Sequence, residues 1–370
     1  MRRFNVTGLC VPDEDYMVDI SGKVAQIRKM VDDRCYFTIN RARQYGKTTT
    51  LLWMSNDLAS DYLVASISFE GLDDESFDSP EAFCQVFLNL VHRALEFTEA
   101  SNEYREAWLD SNIVTFPGLS NHITKMCKPS KEHSNQRIVL MIDEVDKTSN
   151  NRTFLHFLGV LRDKFLARKS MRDYTFHSVI LAGVYDIRNI KLKMINEGVY
   201  QPSQDENKLY NSPWNIAAAF TVDMSFSPAE IATMLAEYET DHNTGMDISE
   251  ISEEIFSFTG GYPFLVSMIC RIIDKKLGKD WTLSGVQDAV KILLAERNTL
   301  FDDVFENLEK DRELYDFIHG LLIMGETKHF VIHNPIIATG VRYGFFSSRE
   351  GRVAFSNRIF ELLMTDYFMR

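Results

Sequence analysis

The sequence predicts an α/β fold in which a parallel sheet is covered by helices. Short apolar segments alternate with helix-like stretches over residues 35–225, and this alternation is typical of parallel sheets with right-handed crossovers. Two of the apolar segments run directly into polar motifs, and ligand sites in open α/β sheets lie at the carboxyl ends of the strands. The predicted strands are Tyr36–Ile39, Leu63–Phe69, Ile138–Ile142, Ser178–Ala182 and Phe220–Val222.

A loop typical of phosphate binding follows the first predicted strand. It ends in Gly46-Lys47-Thr48 and precedes a helix-like stretch up to Leu58, the order of the motif G-x-x-x-x-G-K-[ST], although Arg41 replaces its first glycine. In this motif the loop amides and the helix N-terminus surround phosphate, the lysine reaches the β- and γ-phosphates, and the threonine holds Mg²⁺. The predicted nucleotide-binding residues here are Arg43, Gln44, Tyr45, Gly46, Lys47, Thr48 and Thr49.

A second motif ends the third predicted strand. The apolar run Ile138–Ile142 leads into Asp143 and Glu144, and such a run suits a strand buried on both faces. Carboxylates in the middle of a sheet would be costly, so they should lie at its carboxyl edge. We expect Asp143 to orient Mg²⁺ and Glu144 to activate the attacking water. Asp146 either assists or caps the following helix. Together the motifs predict a P-loop ATP hydrolase that uses ATP and Mg²⁺.

The fourth predicted strand continues into residues that could sense the γ-phosphate. Tyr185, Asp186 and Arg188 are the candidates. Arg188 is the candidate catalytic arginine, since an arginine finger stabilises phosphate charge; pairing with Asp186 or with a surface carboxylate is the alternative. Residues 191–214 are polar and without periodicity, so we expect an irregular connection there.

The motifs resemble those of the bacterial and archaeal AAA-like domain ATPases, a STAND-type, AAA+-related branch of the P-loop proteins. Similar segments are the opening at residues 4–19, the arginines at the start of the phosphate loop, Ser212–Ala217 and Thr259–Phe264. The resemblance covers nearly the whole chain. Relatives often continue into a C-terminal nuclease; the final part of this sequence has no Asp…Glu-x-Lys metal site, and no nuclease activity is predicted for it.

The resemblance also implies roles for residues outside the two motifs. The N-terminal lead-in would cover the adenine, with Asp15, Tyr16 and Val18 either lining the pocket or simply packing. Pro263 would lie near the nucleotide base, or would only start a helix. ATP and Mg²⁺ would then sit between the α/β core and the helical region.

Four parts are predicted along the chain. They are a lead-in at 1–34, the ATPase core at 35–225, a helical lid domain at 226–310 and a winged helix at 311–370. Ser227-Pro-Ala-Glu230 is a typical helix start. In the last part we expect a strand at Phe330–His333, a short helix from Asn334, a hairpin turning at Arg349–Gly351, and a final helix.

Composition restricts the partners. The net charge of −13 opposes a purely electrostatic nucleic-acid binder, and the basic cluster Leu161–Arg172 is interpreted as the solvated face of a helix. No apolar run approaches the roughly 20 residues of a membrane span. The five cysteines show no metal spacing, which fits a reducing cytoplasm.

The predicted function is that of a conformational switch with slow, Mg²⁺-dependent ATP hydrolysis. Its partner would be another protein, a fused effector or a second copy of the chain. The alternative is a DNA-binding winged-helix regulator whose shape is set by nucleotide; this is not favoured, because only Arg342 is basic between Asn334 and Gly344.

Overall fold

The computed structural model describes residues 2–129, 137–148, 151–184 and 214–369, and the chain divides into two compact units. The sheet unit comprises Val24–Asn40 and Thr50–Val222. The helical unit comprises Met1–Lys23, Arg41–Thr49 and Asp223–Arg370. The loop with the Gly-Lys-Thr motif therefore belongs to the helical unit, and the acidic motif belongs to the sheet unit.

The sheet unit contains a four-stranded parallel sheet in the order β1-β4-β3-β2. Asn40 pairs with Gly183 and Ser68 pairs with Asp143, so the carboxyl ends of the strands form one edge. All six residues of β3 and all six of β4 are buried, as expected for central strands covered on both faces. The strands are β1 Tyr36–Asn40, β2 Leu63–Ser68, β3 Ile138–Asp143 and β4 Ser178–Gly183, which confirms four of the five predicted strands.

The fifth predicted strand, Phe220–Val222, is wrong. Next to β1 the chain makes a single parallel bridge between Phe37 and Ala218, and Phe220 stacks on Phe37 with the ring centroids 5.9 Å apart. The apolar residues that suggested a strand therefore pack beside the edge strand β1 without extending a ladder of backbone hydrogen bonds.

Helices cover both faces of the sheet, and their buried aromatic residues form the core of this unit. Phe83 and Phe87 of α3 pack against Phe157 of α6, with ring centroids 5.0 and 4.9 Å apart. Side-chain caps start α3 at Ser79 and α6 at Asn151. The helices are α1 Ser21–Asp32, α2 Lys47–Leu58, α3 Pro80–Leu95, α4 Asn102–Glu106, α5 Phe116–Cys127 and α6 Arg152–Lys169; α1 and α2 begin in the helical unit.

Two residues of the basic cluster in α6 hold the sheet unit together, so the prediction of a wholly solvated face is wrong. Lys164 is fully buried and donates to Asp173, 2.7 Å away. Arg168 donates to the carbonyl oxygens of Phe176 and His177 at 2.7 Å. Lys164 thus pairs with a carboxylate and Arg168 satisfies two backbone carbonyl oxygens, so both cations make contacts within the sheet unit.

The helical unit is built mainly from the helices that follow residue 226. The predicted start at Ser227 is confirmed as a capping box, in which Ser227 and Glu230 bond each other's backbone N–H. The helices are α7 Pro228–His242, α8 Ile248–Thr259, α9 Pro263–Lys276, α10 Leu283–Ala295, α11 Thr299–Lys310, α12 Arg312–Leu322, α13 Pro335–Arg342 and α14 Arg358–Met369.

Between α13 and α14 lies the predicted hairpin, which is confirmed. Strands β5 Phe346–Arg349 and β6 Arg352–Phe355 pair antiparallel across a turn at Glu350 and Gly351. The predicted strand Phe330–His333 is wrong, because the bridge in this region is made by the preceding residue, His329, with Arg352. A strand needs a repeated ladder, and here the turn before α13 starts too soon for one.

The N-terminal segment packs on α7 within the helical unit. Tyr16 lies 5.0 Å from Phe4 and 5.1 Å from Tyr238 between ring centroids, and its hydroxyl donates to Asp241. Asp15 is buried and accepts the backbone N–H of Val11. Of the two predicted roles for Asp15 and Tyr16, these contacts supply the packing role.

Among the residues described, no helix combines the length and the apolar character needed to cross a bilayer.

Candidate functional site

The loop between β1 and α2 takes a compact conformation that only part of the sequence pattern explains. It begins after Asn40, and α2 starts at Lys47. Gly46 has a φ of 74°, which glycine adopts readily, and Gln44 has a φ of 56°, which is unfavourable for a residue with a side chain. Left-handed residues in such a loop turn successive backbone N–H groups toward one point, which suits an anion.

The lysine of the motif is directed into its own loop. Lys47 is 7% exposed, and its ammonium group donates to the carbonyl oxygens of Arg41 at 3.2 Å and Ala42 at 3.1 Å. Thr48, the next residue, is exposed in the first turn of α2. The Thr49 hydroxyl accepts the backbone N–H of Cys10 at 3.3 Å. A buried cation beside a helix N-terminus is a strong anion site in chemical terms.

Two helices of the same unit contact the outer side of the loop. The Tyr262 hydroxyl, just before α9, donates to the carbonyl oxygen of Arg43 at 2.5 Å. The Arg43 guanidinium lies 3.3 Å from the carboxylate of Asp303 in α11. The Gln44 amide donates to the Thr299 hydroxyl at 2.9 Å. The residues Arg43 and Gln44 are therefore held at both backbone and side chain.

Aromatic packing fixes the other end of the loop. The rings of Tyr45 and Tyr262 meet edge to face at 4.5 Å, and the Tyr45 hydroxyl shares a hydrogen bond of 2.7 Å with Ser225. Burial raises the pKa of Tyr45 and lowers that of Arg41. A methyl group added at Gly46 would lie 4.0 Å from the ring of Pro263, so Pro263 lies next to the loop; its place near the nucleotide base stays a prediction.

A pair of glycines allows the chain before α9 to come this close. A Cβ at Gly261 would lie 2.0 Å from the carbonyl oxygen of Phe226, and one at Gly260 would lie 2.4 Å from that of Ser356. Both residues also have positive φ. Glycine is therefore needed at both positions just before Tyr262 and Pro263, because a side chain would clash with the backbone of Phe226 or Ser356.

The acidic motif lies at the carboxyl edge of the sheet, as predicted. Asp143 is the buried last residue of β3, and its carboxylate accepts the backbone N–H of Glu144 at 2.9 Å. Glu144 is half-buried, with a left-handed φ of 55°. The Asp146 carboxylate accepts the backbone N–H of Val184 at the end of β4. Asp146 therefore does not cap α6, whose cap is Asn151.

The structure thus brings Arg43–Thr49 and Pro263 together in the helical unit and places Asp143 and Glu144 in the sheet unit. Arg188, Tyr185 and Asp186 lie outside the described residues. Sequence reasoning missed the residues of other elements that contact the loop, among them Tyr262, Ser225, Thr299 and Asp303. Tyr262 stood next to the Pro263 that was singled out and could have been found from that position. Thr299 and Asp303 carried no signal, because ordinary helix residues of this kind occur throughout the chain.

The chemistry of the loop fits a phosphate chain with Mg²⁺. The loop offers an ammonium group, backbone N–H groups at the start of a helix and an exposed threonine hydroxyl, which are the groups that bind phosphate and its metal. Within residues 2–129, 137–148, 151–184 and 214–369 there is no group of three or more His, Cys, Asp or Glu side chains suited to a metal ion.

Comparison with known proteins identifies the family to which this chain belongs. The sequence profile of the AAA-like domain family matches residues 16–292, which is most of the chain, and the protein belongs to that family. The resemblance drawn from the motifs is therefore confirmed at the level of the family.

Among solved structures, the fold is similar to that of the Walker-type ATPase PABY2304 of Pyrococcus abyssi. That comparison gives a TM-score of 0.62 at 11% identity and covers 98% of this chain and 99% of the other. The ADP form of the ORC2 protein of Aeropyrum pernix matches at a TM-score of 0.48 and 11% identity, over 99% and 97% of the two chains. The RuvB Holliday junction branch migration motor of Thermotoga maritima matches at 0.43 and 11% identity, over 91% and 92%. No curated protein matches the sequence.

Proposed function

We propose that this protein binds ATP with Mg²⁺, hydrolyses it slowly and uses the nucleotide state to change the arrangement of its helices. The observation that carries the proposal is the position of Lys47. This buried lysine lies in a loop with left-handed residues at the start of α2, and the outer side of the same loop is held by α9 and α11. A phosphate-binding element is thus in direct contact with the helices that would respond to it.

The roles of the motif residues follow from their chemistry. Lys47 exchanges the carbonyl oxygens of Arg41 and Ala42 for the β- and γ-phosphate oxygens, since a charged acceptor makes the stronger hydrogen bond. Thr48 would hold Mg²⁺, which when bound neutralises phosphate charge. For Asp143, the motif at the end of β3 predicts a role in orienting the metal. Glu144 accepts a proton from the attacking water. The remaining loop residues, Arg43 to Gly46 and Thr49, supply backbone donors and shape.

The response of the helices is proposed to reach the C-terminal part of the chain. A Cβ at Gly344, in the turn after α13, would lie 3.1 Å from the Cβ of Ala42 in the loop. We assign residues 311–370 as a winged helix on the order α12, α13, hairpin and α14. A change in the loop on phosphate binding would shift this turn, because close-packed contacts do not deform gradually.

A protein partner is proposed in preference to DNA. The segment between α12 and α13 exposes Met324 and Val331, 68% and 51% accessible, together with Ile323 and Ile332. Several exposed apolar residues within one short segment favour a surface that another protein covers. DNA would instead require a basic surface, and the helix α13 carries only Arg342.

The test separates binding from hydrolysis. Glu144→Gln should keep ATP binding within about twofold and lower the rate of phosphate release roughly 100-fold or more, since general bases contribute about 10²–10⁴-fold. Calorimetry gives the affinity, and single-turnover phosphate release gives the rate. Glu106→Gln, a change at an exposed carboxylate that pairs with His92, is the control. Unchanged phosphate release in Glu144→Gln would refute the hydrolytic role of Glu144.

A further inference from the structure

We propose that Tyr262 is a positioning residue for the phosphate loop, because its hydroxyl fixes the peptide that joins Arg43 and Gln44. In this arrangement the N–H of Gln44 is held ready as a donor to nucleotide phosphate. The inference rests on the proposed function, since its ligand is the phosphate chain of ATP or ADP.

The peptide that joins Arg43 and Gln44 is planar, so its two polar groups have fixed relative directions. In a trans peptide the C=O and N–H groups point in opposite directions, and the described residues contain no cis peptide bond. The Tyr262 hydroxyl donates to the carbonyl oxygen of Arg43 at 2.5 Å. That bond therefore sets the direction of the Gln44 N–H, which points away from Tyr262. A rotation of this peptide would break the hydrogen bond.

The backbone conformation of Gln44 is unusual for a residue with a side chain. Its φ of 56° is left-handed, which is disfavoured in a residue with a Cβ. Contacts from outside the loop are therefore needed to hold it. The Gln44 side chain reaches Thr299 at 2.9 Å, and the neighbouring Arg43 reaches Asp303 at 3.3 Å. Such a left-handed residue lets adjacent N–H groups converge on an anion.

The ring of Tyr262 is held in place by its surroundings. The residue is 2% exposed, and its ring lies edge to face with Tyr45 at 4.5 Å and with Phe360 of α14 at 5.6 Å. Burial raises the pKa of its hydroxyl well above the ordinary value, so the group stays protonated and remains a donor. A fixed ring with a protonated hydroxyl can hold the carbonyl of Arg43 in one direction.

The variant Tyr262→Phe removes only the hydroxyl. Loss of one hydrogen bond predicts an affinity for Mg·ADP and Mg·ATP that is about threefold to tenfold weaker. Tyr238→Phe is the matched control, because Tyr238 is fully buried and loses a hydrogen bond of 2.6 Å to Asp274 that lies away from the loop. The control should lower the unfolding temperature and leave both affinities unchanged.

The experiment combines calorimetry of Mg·ADP binding with amide hydrogen exchange of the peptide that contains Gln44. In the unmodified protein, ADP should slow exchange in this peptide, and the slowing should be reduced in Tyr262→Phe. A purely structural role would not change this difference between free and ADP-bound protein. Equal affinity and equal slowing in the unmodified protein and in Tyr262→Phe would overturn the inference.

A second variant covers the case in which Tyr262→Phe does not fold. The double variant Thr299→Val with Asp303→Ala removes the side-chain contacts to Gln44 and Arg43, and Thr299 is exposed. We expect about threefold weaker Mg·ADP binding, because the peptide between Arg43 and Gln44 loses its side-chain supports. An unchanged affinity would show that the position of this peptide does not matter for nucleotide binding, and it would overturn the inference. Failure of the unmodified protein to bind either nucleotide would refute the proposed function itself, whereas nucleotide binding that is insensitive to these variants refutes only the role of Tyr262.

Discussion

Lys47 donates a hydrogen bond to the carbonyl oxygen of Ala42, 3.1 Å away, so the side chain proposed to bind phosphate is folded back on its own loop. This contact joins the chemistry of the site to the shape of the loop. If the Lys47 ammonium group donates to phosphate, the carbonyl oxygens of Ala42 and Arg41 lose this donor. We therefore expect the loop conformation and the contacts around it to change when phosphate binds.

Gly46 provides a test of the loop conformation. With a φ of 74° and the Pro263 ring 4.0 Å from an added Cβ, alanine is opposed by the backbone and not by the available space. Gly46→Ala should lower the free energy of unfolding by about 1–2 kcal/mol and weaken ATP binding at least about tenfold. Denaturant unfolding and calorimetry measure the two effects.

Gly325→Ala is the control for this prediction. Gly325 also has a positive φ, 66°, with nothing within 4 Å of an added Cβ. It should show a similar loss of stability with unchanged ATP binding. Normal nucleotide affinity in Gly46→Ala would mean that the loop does not bind phosphate in this conformation.

The substitution Gly183→Ala tests whether Asp146 packs against the end of β4. A Cβ at this position would lie 2.7 Å from a carboxylate oxygen of Asp146, and that carboxylate already accepts the N–H of Val184. Gly183→Ala should therefore lower the free energy of unfolding by about 1–3 kcal/mol, as measured by urea denaturation.

The matched change is Gly159→Ala within α6, where nothing lies within 4 Å of an added Cβ. It should raise the free energy of unfolding by up to about 1 kcal/mol. Equal stability of the Gly183→Ala and Gly159→Ala proteins would show that Asp146 is not packed against the end of β4.

We expect the free energy of unfolding of the protein to depend on pH through His177. Burial lowers the pKa of His177 to about 4, and the nearby Arg137 adds to the effect. The unfolded chain binds a proton near pH 6.5, so this contribution to stability is complete above that pH. It is lost progressively as the pH falls toward 4.

Between pH 7.5 and 5.0 the loss should be about 2 kcal/mol. His177→Asn should show a smaller loss over the same range, because asparagine does not titrate; urea denaturation at the two pH values measures it. The same pH dependence in both proteins would contradict the assignment to His177.

The strands and motifs could be predicted from the sequence because buried parallel strands form continuous apolar runs, as Ile138–Ile142 does. Phe220–Val222 has the same local character but lies beside β1 with only one bridge, at Ala218. The local pattern of apolar residues indicates that a segment is buried. It does not indicate whether the segment forms a ladder of backbone hydrogen bonds with a neighbouring strand. For the same reason Phe330–His333 was misassigned.

The phosphate loop was predictable from its spacing, and the elements that hold it were not. The contacts of Arg43 with Asp303 and of Gln44 with Thr299 join residues that are far apart in the sequence. Long-range pairs of this kind follow from the path of the helices and not from a local motif. In the same way, Lys164 and Arg168 looked like solvated helix residues until their buried partners were known.

The central claim is that Lys47 binds the phosphates of ATP, and calorimetric titration of Mg·ATP into the Lys47→Ala protein tests it most directly. The control is Lys291→Ala, at an exposed lysine that pairs with Asp288. We predict binding by the unmodified protein and the control, and an affinity roughly 100-fold weaker in Lys47→Ala, because charge-assisted hydrogen bonds to phosphate are lost. Equal affinity in all three folded proteins would contradict the account.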